Sequence, residues 1–228
     1  MRAEASRAEG RDGGRSTRAE RQARTRIGLI DAAERLFAAQ GFHATSLDTV
    51  AAEAGFTKGA VYSNFESKED LFFALYERRV DARVAEMETL LSEAPTLREG
   101  VERSVPGNRG RPETDDGWLA VFFEFWAHVL RHPELRERFA AQHRRAIEPL
   151  ARAVVEEARQ RGEEPHEDPH KLATARYAMQ LGLQLERLTQ PEVVDEELGL
   201  RMARAWMDEG GRDGVSDRAT SGLRSRRS

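Results

Sequence analysis

The chain has no cysteine among its 228 residues, which excludes a disulfide framework, a thiolate metal site and a thiol redox switch. Long apolar runs are also missing. The greasiest stretch, WLAVFFEFWAHVL at 118–130, is too short for a bilayer and carries Glu124 and His128. The first 26 residues are rich in arginine but hold no apolar core of a secretory leader, so a cytoplasmic location is expected. Lysine is scarce, confined to Lys58, Lys68 and Lys171. There is no alternating strand pattern, no glycine-rich phosphate loop, no repeat of solenoid length and no nucleophile beside a base and its orienting partner. Neither catalytic residues nor a cofactor are expected. What remains is a chain with 33% charged and 39% hydrophobic residues whose apolar positions recur with helical period. The expected fold class is all-α.

Net charge is −4, which argues against bulk binding to polyanions. The charge is unevenly placed: residues 1–68 carry 11 Lys/Arg against 9 Asp/Glu, leaving the rest acidic. Any nucleic-acid contact must therefore come from a few well-placed cations.

Residues 1–22 lack apolar period and read as a disordered Arg-rich arm, with Arg15, Arg18, Arg21 and Arg24 able to reach DNA or simply solvated. Residues 210–228 read as a disordered tail. After the arm, Ile27, Ile30, Ala33 and Phe37 share one helical face and Gly41 ends the helix. Thr45 with Asp48 gives an N-cap signature, followed by Leu47, Val50, Ala51 and Ala54 on one stripe and a break at Gly55. Phe56 and Val61 stand around a Thr57 cap at hydrophobic-staple spacing, and Ser67 with Asp70 starts a long helix toward Leu91. Two short helices, a glycine turn and small residues at their crossing describe a helix-turn-helix over 46–65; an ordinary helical hairpin is the alternative.

The second of these helices has an unusual outer face. Val61 and Phe65 bury together, which leaves Gly59, Ala60 and Ser63 outside with Tyr62 at one edge and Lys58 near the N-terminus. Glycine costs a helix roughly 1 kcal/mol against alanine, so this face gains closeness rather than stability. It suits insertion into the major groove of B-DNA. Thr45, Ser46, Thr57 and Lys68 add hydroxyls and a cation suited to phosphates.

GFHATSLDTVAAEAGFTKGAVYSNFESKEDLF resembles the DNA-binding region of the TetR family of bacterial regulators, over about residues 23–83. The motifs T-S-x-x-x-V-A, A-G-x-[ST]-K-G-x-x-Y-x-x-F and S-K-E-x-L occur in order. The resemblance implies a homodimer whose reading helices enter successive major grooves of a pseudo-palindromic operator, with Tyr62, Asn64 and Lys68 on phosphates. Many members have a second aromatic and a histidine where this chain has Ser63 and Asn64, so base preference does not carry over. The family further implies a C-terminal domain, here 84–209, that binds an effector and dimerises; a repressor is the expected sign.

A short helix is expected around Leu97, Val101 and Val105, a mobile linker over 106–117, a buried aromatic helix at 118–130, and a helix from Pro133 kinked at Pro149. Candidate linings for a small apolar or aromatic effector are Trp118, Phe122, Trp126, His143, Tyr177 and Gln184. Small-residue stripes through Ala175, Ala178, Gly182 and Leu185, and through Leu198, Met202 and Trp206, are candidates for the dimer interface the resemblance implies. One alternative is a metal-responsive regulator, because Glu124, His128 and His132 are spaced to share a helical face. Others are an all-α enzyme and a helical interaction protein that never touches DNA.

Overall fold

The computed structural model describes residues 17–105, 116–165 and 167–210. Among these, all regular structure is helical, in the order α1 (Arg18–Gln40), α2 (Leu47–Glu53), α3 (Lys58–Tyr62), α4 (Lys68–Glu93), α5 (Leu97–Arg103), α6 (Asp116–Arg131), α7 (Pro133–Arg161), α8 (Pro169–Thr189) and α9 (Glu196–Gly210). The expected tail beyond Gly210, most of the expected linker and Arg15 lie outside the described residues.

Local chemistry fixes most helix ends. Thr57 and Ser67 cap α3 and α4, each hydroxyl accepting the backbone N–H three residues on. Two starts differ from expectation. Residues 18–22 belong to α1 rather than to a disordered arm, because Thr17 and Glu20 form a reciprocal capping box. The cap of α2 is Ser46, accepting from Thr49 N, while Thr45 is buried and its hydroxyl donates to Gly41 O at 2.8 Å. Ile27 is 56% exposed and does not join the apolar face expected of it, and Leu130, at the end of the expected buried helix, is 60% exposed. Pro149 lies within α7, which continues through it to Arg161.

Helices α1–α4 share one hydrophobic core with α6 and α7. Phe37, Phe42, Phe72, Phe73 and Phe125 are almost completely buried there. Each such side chain contributes roughly 1.5–3 kcal/mol by leaving water. Phe125 stacks on Phe72 at 3.8 Å and meets Phe42 edge-on at 5.0 Å, so α6 is wedged under the short helices. The expected domain boundary at 83/84 falls inside α4, which belongs to both halves. A second core gathers Val101, Val105, Ile147, Leu150, Ala151, Ala173 and Ala203 from α5, α7, α8, α9 and the end of the α5 turn.

Candidate nucleic-acid interface and ligand cavity

The turn between α2 and α3 depends on Gly55, whose φ of 71° favours glycine and whose surroundings are open. Beneath it Val50, Ala51, Val61 and Phe65 are buried and fix the crossing of the two helices. Phe56 lies against α1 at Gly28, where an added Cβ would meet its ring at 3.0 Å. The exposed face of α3 is thereby held rigidly outward.

That face matches the sequence reading at its centre. A Cβ added to Gly59 would meet only Thr57 Oγ1, at 3.9 Å, and its φ is unexceptional. Among the described residues nothing demands a glycine there. Tyr62 is 57% exposed. Lys58 Nζ is paired with Asp48 of α2 at 2.5 Å, and Tyr62 Oη donates to the same carboxylate at 3.4 Å. The pairing with Asp48 raises the Lys58 pKa, so the ammonium stays charged. Ser63 Oγ and Asn64 Nδ2 both donate to Ala60 O, closing the end of α3 and leaving the Asn64 amide oxygen for an outside donor.

Two candidates are corrected. Thr45 is buried and hydrogen-bonded internally, which removes its hydroxyl from any phosphate. Lys68 turns inward: its ammonium donates to Phe42 O at 2.8 Å and His43 O at 3.1 Å and sits over the Phe42 ring. Burial lowers its pKa. Lys68 therefore ties α4 to the turn after α1. In its place, Arg18, Arg21, Gln22 and Thr25 of α1 line an open groove with Ala60, Ser63 and Asn64, bringing two guanidiniums beside the reading helix. The Thr17-x-x-Glu20 capping box was the sequence signal that would have put these arginines on a helix.

The Glu124, His128 and His132 group does not form a metal site. Glu124 accepts from the backbone N–H groups of Phe42 and His43 at 2.8 and 2.9 Å. Its carboxylate approaches Gly41 so closely that an added Cβ would lie 2.7 Å from Oε2. His128 Nε2 is 3.2 Å from Glu69, and His132 Nδ1 is 3.1 Å from Glu134. Among the described residues no cluster of three such groups is placed to hold a metal.

Between α4, α6, α7 and α8 lies a cavity of about 510 Å³. Of the expected lining residues, Trp118, Phe122, Tyr177 and Gln184 reach it. Trp126 and His143 stand behind: Trp126 packs edge-on to Phe122, and His143 is 3.1 Å from Tyr76 Oη. Burial pushes the His143 pKa down to about 4, so the ring is neutral, and raises that of Tyr76. The α4 contribution, Tyr76, Arg79, Val80, Arg83 and Glu86, was not anticipated from sequence.

On α8, Ala175, Ala178, Gly182 and Leu185 remain exposed, with open space around Gly182. On α9, Leu198 and Met202 are half-buried, whereas Trp206 packs partly against the second core.

Known proteins are similar to this chain in sequence and in fold. The family described as bacterial regulatory proteins of the tetR family matches residues 29–75, and the C-terminal family described as a BetI-type transcriptional repressor matches residues 94–210. The regulator AcrR of Shigella flexneri is 42% identical over 32% of this chain and 34% of its own length. The activator FasR of Mycolicibacterium smegmatis is 31% identical over 50% of each chain. The chain thus spans about a third to a half of the length of such curated relatives. Among solved structures, a Saccharomonospora viridis regulator in complex with choline superposes with a TM-score of 0.65 at 20% identity, over 82% of this chain and 96% of that one. FadR of Bacillus subtilis in complex with stearoyl-CoA gives 0.58 at 16% identity, over 81% and 96%. With half of the chain matched by the C-terminal family and the helix-turn-helix matched by the other, this chain belongs to the TetR family of bacterial regulatory proteins.

Proposed function

We propose that the chain is a sequence-specific transcriptional regulator, a repressor that binds a pseudo-palindromic operator as a homodimer and releases it when an effector fills the cavity. The observation that carries the DNA-binding reading is the outer face of α3: a glycine that none of the described residues requires, at the centre of an exposed, firmly seated helix. Gly59, Ala60 and Ser63 enter the major groove, with Tyr62 and Lys58 at its edges. Ser46, Thr57, Asn64 and the arginines of α1 meet phosphates. The stripe on α8, with α9 beside it, supplies the dimer contact. The fold's neighbours with choline and with stearoyl-CoA support a small-molecule input without fixing its chemistry. Inverting operator occupancy from 1:99 to 99:1 requires about 5.5 kcal/mol of differential effector binding. Helix α4 is the lever, because it carries cavity residues at its middle and joins the reading head at its start.

The test is binding to the chain's own upstream promoter fragment over a salt series. Saturable, selective binding is expected, and Arg21→Ala should reduce the salt slope by about one. Equal affinity for scrambled fragments at every salt concentration would sink the reading.

A further inference from the structure

The cavity has an uneven wall. Tyr76, Val80, Trp118, Leu119, Phe122 and Leu181 make an apolar chamber. On the α4 side stand two guanidiniums, Arg79 and Arg83, against one carboxylate, Glu86. Arg83 and Glu86 pair with each other at 2.9 Å. Arg79 lies over the Trp118 ring at 4.3 Å, so the aromatic face that a quaternary ammonium would seek is already covered by a cation. A positively charged effector would meet like charge here.

Arg79 also has a partner outside the cavity. Its Nε and Nη2 donate to Glu34 of α1 at 2.7 and 2.5 Å. Glu34 is shared: its other oxygen accepts from Arg78 at 2.6 Å, and Arg78 reaches Asp31 at 2.5 Å. One carboxylate on α1 thus holds two neighbouring arginines of α4, and one of the two faces the cavity.

We propose that the cavity takes an amphipathic acid, an apolar body ending in a carboxylate or similar anion, whose head group docks on Arg79 in competition with Glu34. The inference rests on the cavity being the effector site. The Nε–Nη2 edge of Arg79 holds one carboxylate at a time, so an acid that docks on that edge displaces Glu34 from Arg79. Glu34 then keeps Arg78 alone, and the link between α4 and α1 loosens without breaking. Helix α1 in turn holds the turn that follows the reading helix, since Arg26 donates to Asn64 O at 2.9 Å. The occupied state is therefore felt at the head through α1.

The experiment is calorimetric titration of the full chain with decanoate and decyltrimethylammonium below their micelle concentrations and with decanol below its solubility. Decanoate should bind about tenfold more tightly than either analogue, the size of one charge-assisted contact. Arg79→Met should erase that preference. Glu34→Gln, which removes the competitor, should tighten decanoate severalfold and leave decanol unchanged; this arm stands even if Arg79→Met does not fold. Leu181→Trp, which fills the chamber, should block all three. Decanol or the ammonium binding as well as decanoate, with Leu181→Trp still blocking, would keep the cavity as the effector site and overturn the acid preference. A decanoate preference untouched by both Arg79→Met and Glu34→Gln would overturn docking on Arg79. Binding by none of the three, or binding indifferent to Leu181→Trp, would overturn the effector-site reading and this proposal with it.

Discussion

Gly59 and His143 show how single side chains set opposing properties. At Gly59 the backbone is ordinary helix and an added methyl would meet only Thr57 Oγ1, at an ordinary contact distance of 3.9 Å, so alanine fits without strain. Gly59→Ala should raise folding stability by about 0.5–1 kcal/mol. The same methyl should weaken operator binding by about tenfold, comparable to losing one base contact. Urea denaturation and promoter binding on one preparation check both; unchanged affinity would mean that α3 does not approach DNA closely. His143 is held neutral by burial, its pKa lowered from 6.5 to about 4. Because the unfolded chain binds the proton first, the contribution is complete above about pH 6.5 and is lost as pH falls toward 4, amounting to about 3 kcal/mol at most. Wild-type stability should therefore fall across this window more steeply than that of His143→Gln. Parallel pH profiles for the two would remove His143 as the cause.

At the scale of elements, short-range signals were readable and long-range ones were not. The caps at Thr57 and Ser67, the Gly55 turn and the buried pair Val61 and Phe65 all involve neighbours within one or two helical turns, where spacing alone specifies contact. The inward turn of Lys68 depends on carbonyls 25 and 26 residues away, which no local pattern reveals. The cavity was half legible for the same reason. An aromatic helix announces itself, but which face of α4 looks into the chamber is decided by α6, α7 and α8 together. Glu124 is the clearest case: its spacing with His128 and His132 suggested metal, whereas its carboxylate closes the α1–α2 turn from below. Glu124→Ala should destabilise the fold by about 2 kcal/mol, since two backbone N–H groups lose their acceptor. Added zinc should leave the wild-type melting temperature unchanged. A zinc-dependent rise that Glu124→Ala removes would restore the metal reading.

For the whole molecule, the proposed homodimer rests on the exposed stripe on α8. Leu185 is 42% exposed and Leu188 36%, on a helix whose small residues invite close approach. Leu185→Arg should convert a dimer into a monomer in analytical ultracentrifugation and lower operator affinity with it, while Val155→Arg, on the exposed side of α7, should leave the dimer intact. A wild-type chain that sediments as a monomer at micromolar concentration would defeat the proposal. The shared core has a different consequence, for anyone who would treat the head as a transferable part. Phe42 and Phe72 are covered by Phe125, a residue more than 50 positions along the chain. Cut after α4, the first four helices would present that aromatic surface to water and tend to clump. A chimera that borrows this reading head must therefore bring α6 along, or choose a host whose own helix offers a phenylalanine and a carboxylate at matching places.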